Sequence, residues 1–201
     1  MNDKKVQVVI LASTDKCKLL EINIDYIEKN LQPDSIVVIT AKKNISLLTH
    51  TASFTNVEIQ DEDYLLEGLN FNKIKDLLIH SNLSVKATGW YFQQFLKMAW
   101  SFSNKCYETY TVWDCDTFPL QPITLFWNEK ICINLKTEYQ KPYFETIKDL
   151  LGLEKQTPAS FISEYMTIDK KVMNELINKI ESVKKYSGSF YKKIILSIKN
   201  G

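Results

Sequence analysis

Two carboxylates one residue apart, Asp114 and Asp116, follow a run of strand-forming residues in Thr109-Tyr110-Thr111-Val112-Trp113-Asp114-Cys115-Asp116-Thr117. Residues i and i+2 of a strand point to the same side, so the pair can converge on one point. Ligands of open α/β sheets sit outside the carboxyl ends of the strands, which puts that point at a cleft. A hard divalent cation takes about one or two protein carboxylates and completes its shell with phosphate and water oxygens. Asp114 and Asp116 suit that role as metal ligands. Asp61-Glu62-Asp63 offers similar residues, but it lacks a long apolar lead-in and reads as a polar loop after a strand.

Other chemistries have little to draw on. His50 and His80 are the only histidines, and Cys17, Cys106, Cys115 and Cys132 show no Cys-x-x-Cys spacing. A zinc site and a Ser-His or Cys-His nucleophile are therefore not expected, and the cysteines read as reduced thiols. The chain has five glycines and neither a Gly-x-Gly-x-x-Gly nor a Walker sequence. A divalent cation between carboxylate and diphosphate replaces such a cradle by charge neutralisation, which suggests a nucleotide diphosphate as ligand. Lys97 or Gln94 could carry part of that charge if their helix packs near the metal.

The elements that must position these residues follow from apolar patterning. Val6 to Ala12 and Ser35 to Thr40 read as buried strands and Asn56 to Gln60 as a shorter third, with helical spacing at Leu19, Leu20, Ile24 and Ile27. This β-α-β-α-β order implies an α/β fold with a mostly parallel sheet covered by helices. Phe71 to His80 reads as a helix. Gly89 to Phe102 reads as a second, with Tyr91, Phe95, Met98 and Phe102 on one stripe and Gln94, Lys97 and Ser101 on a narrow polar line. Trp90 is placed in the core rather than at the site. Further on, Ile131 to Leu135 reads as a strand and Pro142 to Leu151 as a helix ended by Gly152. Phe161 to Ile168 reads as strand-like or irregular, and Lys170 to Val183 and Phe190 to Ile198 as helices.

A chain of 201 residues with 45% hydrophobic and 24% charged residues is expected to form one soluble globular domain. Lys and Arg total 25 against 24 for Asp and Glu, so nothing in the charge balance calls for nucleic acid. Lys184-Lys185 and Lys192-Lys193, near Tyr186, Phe190 and Tyr191, read as a solvated helix face or as a peripheral contact with an anionic membrane. The sequence contains no 18-residue apolar run, and Met1 to Lys5 leads into a strand rather than a signal-peptide core. A cytoplasmic location is expected.

Two segments together carry a family resemblance. Thr88-Gly89-Trp90-Tyr91-Phe92-Gln93-Gln94-Phe95-Leu96-Lys97 and Val112-Trp113-Asp114-Cys115-Asp116-Thr117-Phe118-Pro119-Leu120-Gln121-Pro122-Ile123 resemble bacterial GT-A-type glycosyltransferases of the DUF6492 kind. Ser160 to Val172 is similar to a third motif of that group, and the likeness spans most of the chain. It implies a single Rossmann-like GT-A domain over residues 1–201 and a hexosyltransferase-like activity. The donor would be a nucleotide sugar, UDP-linked by preference, bound through Mn²⁺ or Mg²⁺. The acceptor would be a hydroxyl of a bacterial surface glycan or its lipid-linked precursor. By this likeness Asp116 is the principal metal ligand, with Asp114 near the ribose or the metal's water shell. Ala12, Ser13 and Thr14 lie beside the nucleoside, and Gln94, Lys97 and Trp113 face the donor. Thr14 or Asp15 could instead cap the first helix.

An inverting transfer also needs a general base, and Glu164 and Asp169 are the acids available in the third motif, Glu164 being preferred. Members of the group often carry histidines where Ser163, Glu164 and Tyr165 stand here, and they continue past Lys199-Asn200-Gly201. Truncation at the C-terminus, leaving a non-catalytic sugar-nucleotide-binding or scaffold domain, is thus the competing expectation. A nucleotidyltransferase or phosphohydrolase would also use carboxylates and Mg²⁺.

Overall fold

Strands buried on both faces need unbroken apolar runs, and these runs build the centre of the molecule. The computed structural model describes residues 4–198. Met1–Asp3 and Lys199–Gly201, on which the expectations about a leader and a missing continuation fall, lie outside the described residues. The first half of the chain contains β1 (Gln7–Ala12), α1 (Cys17–Leu31), β2 (Ser35–Thr40), β3 (Val57–Asp61), α2 (Phe71–His80) and α3 (Thr88–Ala99). Then come β4 (Thr109–Asp114), a hairpin of β5 (Phe126–Trp127) and β6 (Lys130–Ile131), α4 (Lys141–Leu151), β7 (Tyr165–Asp169), α5 (Lys170–Ser182) and α6 (Phe190–Ser197).

The main sheet has the order β3-β2-β1-β4-β7, parallel except for β7, which runs antiparallel to β4. Alternation along the strands divides the core in two. Val9, Leu11, Val37, Ile39, Tyr110 and Val112 face α2, α3, α5 and α6, while Val8, Ile10, Ile36, Val38 and Trp113 face α1. This is the expected α/β architecture, a mostly parallel sheet flanked by helices in a single domain. Gln7, 2% exposed at the foot of β1, is fully engaged: its amide donates to Lys105 O, and its Oε1 accepts from Trp100 Nε1 and Tyr107 N.

The structure refines several sequence readings. The stretch Ile131 to Leu135 is not a strand; only Lys130–Ile131 pairs, with Phe126–Trp127, across a two-residue turn in which Asn128 and Glu129 both have positive φ. Within Phe161 to Ile168, read as strand-like or irregular, both occur: the strand begins at Tyr165 and the residues before it are irregular. The helix expected to run to Phe102 ends at Ala99, and a 3-10 turn over Trp100–Phe102 buries Ser101 and exposes Phe102. Finally, the basic C-terminal stretch is only partly a solvated face: Lys184 and Lys185 are exposed, but part of the stretch after them turns inward. Phe190 and Tyr191 belong to the core, and Lys193, 5% exposed, donates to the carbonyls of Glu181 and Val183 at the end of α5. No helix among the described residues is long and apolar enough to cross a membrane.

Candidate active site

The C-terminal ends of β1 and β4 are neighbours in the sheet, with Leu11 registered against Asp114, so the loops that follow them share one edge. At β4 the chain turns at once, and Thr117 N–H donates to Asp114 O at 2.9 Å. The turn is held from behind. Asn23 of α1, fully buried, donates through Nδ2 to Cys115 O at 3.0 Å and to Thr117 O at 2.8 Å, and Trp113 Nε1 also donates to Thr117 O. One helical heptad later, Asn30 Nδ2 donates to Pro119 O at 2.6 Å. Two buried asparagines of α1 thus fix the carboxylate loop.

Each carboxylate is met by a lysine. Lys97 Nζ donates to Asp114 Oδ1 at 2.8 Å, with its side chain only 17% exposed, and Tyr110 Oη anchors the Lys97 carbonyl. Lys16 Nζ donates to Asp116 Oδ2 at 3.0 Å in a more open pair, and this bond to Asp116 raises the Lys16 ammonium above its ordinary range. Between the carboxylates, burial first and the flanking Asp116 and Asp114 second push the Cys115 thiol up to about 12. It is a neutral structural residue, not a nucleophile.

Ser13, Lys16, Trp90, Gln94, Lys97, Asp114 and Asp116 line a common cavity of about 220 Å³. The structure therefore brings together Ser13, Gln94, Lys97, Asp114 and Asp116 from the sequence reading. Ala12 is buried beside this edge, its carbonyl accepting from Thr40 Oγ1. Thr14 donates to Asn44 Oδ1, and neither Thr14 nor Asp15 caps α1, whose first turn is bonded to the Ser13 carbonyl. Trp113, 1% exposed, is stacked on Tyr165 at 4.8 Å within the core and cannot face a donor.

The two candidate bases fare differently. Asp169 is registered against Thr109, at the opposite end of β4 from Asp114, and its carboxylate caps α5 by accepting from Val172 N–H. The antiparallel course of β7 takes it away from the site. Glu164 is adjacent in the backbone, since its carbonyl accepts from Asp114 N–H. Its side chain, however, pairs with Lys136 at 3.1 Å, and its own backbone N–H followed by Lys136 holds the carboxyl below its usual range. A lowered pKa makes a poor base near neutrality.

Sequence reasoning missed Lys16 and Trp90. A lysine two residues past a serine-threonine turn reads as helix surface, and a tryptophan reads as core; Trp90 is in fact 46% exposed and lines the cavity. The donor set of two carboxylates suits a cation that takes its remaining ligands from phosphate and water. It does not suit zinc, and no group of three or more His, Cys, Asp or Glu side chains able to hold a metal is present among the described residues.

The same fold occurs in solved glycosyltransferases. The galactosyltransferase LgtC, solved with donor and acceptor sugar analogues, aligns with a TM-score of 0.54 at 13% identity, over 94% of this chain and 69% of its own. Mouse xyloside xylosyltransferase 1 aligns at 0.53 and 9% identity, over 96% of this chain and 81% of its own. The bifunctional glycosyltransferase WbbM aligns at 0.50 and 16% identity, over 98% of this chain and 38% of its own. At such identities the likeness is one of fold, the GT-A fold of these enzymes. No family model matches the sequence, and no curated protein does.

Proposed function

We propose that this chain is a divalent-cation-dependent glycosyltransferase that moves a sugar from a nucleoside diphosphate, UDP by preference, to an acceptor hydroxyl. The observation that carries the reading is the single cavity in which Asp114, Asp116, Lys16 and Lys97 meet at the carboxyl edge of a parallel sheet. The fold supports it, because it is shared with the solved glycosyltransferases LgtC, WbbM and xyloside xylosyltransferase 1. The natural acceptor in this reading is a bacterial surface glycan or its precursor, reached from the cytoplasm.

Asp114 and Asp116 would hold Mn²⁺ or Mg²⁺, which as a Lewis acid offsets charge developing on the leaving diphosphate. With a cation on the carboxylates, Lys16 and Lys97, now paired with Asp116 and Asp114, would be free to donate to phosphate oxygens. Ser13 and Gln94 would add polar contacts from the cavity wall. The acceptor oxygen forms a bond to the anomeric carbon, and the bond from that carbon to the diphosphate oxygen breaks with its electron pair on oxygen. No third carboxylate lines this cavity among the described residues; in this reading the departing phosphate oxygen would take the hydroxyl proton. The same observation favours the second reading, a non-catalytic sugar-nucleotide-binding domain.

Calorimetric titration of UDP, GDP and CDP with and without Mn²⁺, on the wild type and on Asp116→Ala, tests the donor site. Binding that requires both Mn²⁺ and Asp116 is expected; no binding of any nucleotide to folded protein would refute the proposal. Slow Mn²⁺-dependent hydrolysis of the matching nucleotide sugar separates enzyme from binding domain.

A further inference from the structure

The polar cavity is continuous with a larger one of different character. Trp90, Gln94, Lys97 and Asp114 also line a space of about 440 Å³ that extends between α3, β7, α4 and α5. Beyond that shared rim its walls are mostly apolar: Met98, Met166, Ile168 and Met173, with the exposed Phe161 and Ile162, and the hydroxyls of Ser163 and Tyr143 are the polar side-chain groups added. The register of β7 explains this. Residues that alternate with Tyr165 turn to the α3 face, so Met166 stands beside Val112 and Ile168 beside Tyr110. At the junction Trp90 and Tyr143 stack at 6.1 Å with 28° between their planes, although they are 46% and 43% exposed.

Such a space is a poor receptor for an unmodified sugar, whose hydroxyls each need a partner, because beyond the rim it offers only the hydroxyls of Tyr143 and Ser163, and Ser163 Oγ already bonds the Tyr165 backbone. Its volume falls in the range of small-molecule sites, about 300–1,000 Å³. Methionines, unbranched and polarizable, conform to flexible hydrocarbon. Met166 and Phe161 are 40% and 44% exposed, apolar surface that burial against a ligand would remove from water.

Resting on the donor reading above, we propose that this cavity is the acceptor subsite and that its occupant is a hydroxyl-bearing amphiphile. The polar head lies at the junction, against the Trp90–Tyr143 pair and within reach of Gln94 and Asp114. The hydrocarbon portion covers Met98, Met166 and Met173.

The probes are methyl, hexyl and octyl β-glucosides below their micellar concentrations, followed by tryptophan fluorescence and calorimetry, with UDP and Mn²⁺ titrated into the same samples. Affinity is expected to rise by up to about fourfold per methylene, and Met166→Asp should abolish that chain-length dependence while leaving UDP affinity unchanged. Met173→Gln serves as a second variant if Met166→Asp does not fold, and retained UDP binding reports on the fold. Equal affinity for methyl and octyl glucosides, octyl binding indifferent to Met166→Asp, or a dimer that Met166→Asp dissolves would each overturn the subsite while UDP binding stands. Absence of nucleotide binding in folded protein overturns the donor reading and the acceptor assignment with it.

Discussion

The two lysine–carboxylate pairs have unequal surroundings, and that difference predicts unequal consequences. Lys97 is mostly enclosed, so Lys97→Met strips a partner from Asp114 and a donor from the bound diphosphate. A charge-assisted hydrogen bond is worth about 1.5–3 kcal/mol, so nucleotide affinity is expected to fall at least about tenfold by calorimetry. Lys16 and Asp116 are 40% and 45% exposed, and Lys16→Met is expected to leave the urea midpoint close to that of the wild type while still weakening nucleotide binding. If Lys16→Met destabilised the fold more than Lys97→Met, the pairs would be structural and not poised for a ligand. At this scale the sequence singled out Asp114, Asp116, Gln94 and Lys97, which line one cavity, because strand-end position and a polar line on an apolar helix are local signals. Lys16 stayed hidden because its place beside Asp116 depends on the β1–β4 adjacency, which no local pattern encodes.

Elements were legible in proportion to how completely they are buried. β1 and β2 lie inside the sheet and show as unbroken apolar runs. β7 is an edge strand and the β5–β6 hairpin is two residues a side, and its turn places Asn128 and Glu129 at positive φ without a glycine to announce it. α1 shows what periodicity leaves out: its apolar face was evident, yet Asn23 and Asn30 look like ordinary polar positions while gripping the loop after β4. Asn23→Ala removes two buried hydrogen bonds and is expected to cost about 2–3 kcal/mol in urea denaturation. It should also weaken nucleotide binding although Asn23 does not line the cavity, a loss a purely structural residue would not produce at temperatures where the variant is folded. Beside β3, burial first, then Asp63 and Asp61, raise the Glu62 carboxyl to about 7. A raised folded-state pKa means stability present in full below the unfolded value and lost as pH climbs toward 7. Stability should therefore drop between pH 5 and 8 by about 1–2 kcal/mol, less than the full linkage value because the group is only partly buried. Glu62→Gln should flatten the profile; an unchanged slope would mean another group is responsible.

For the molecule as a whole, the basic C-terminal stretch connects stability to location. Sequence alone allowed Lys184, Lys185, Lys192 and Lys193 to act with nearby aromatics as a membrane-facing strip. Folding assigns several of them elsewhere: Lys185 pairs with Asp149, Lys193 closes the carbonyl end of α5, and Phe190 and Tyr191 pack on Phe95 beneath α3. α6 is thereby tied to the helix that carries Gln94 and Lys97. An anionic surface gains about 1 kcal/mol per nearby lysine, too little to extract aromatic residues from the core, where full burial of a Phe-sized side chain is worth about 1.5–3 kcal/mol. Cosedimentation with phosphatidylglycerol vesicles at physiological salt is accordingly expected to be weak and to change little in Lys193→Met, while that substitution lowers stability by about 1–3 kcal/mol through the carbonyls it leaves without a donor. Strong vesicle binding lost in Lys184→Glu and Lys192→Glu, with stability intact, would mean that the exposed lysines alone suffice and that the interior packing of α6 does not decide where the protein resides.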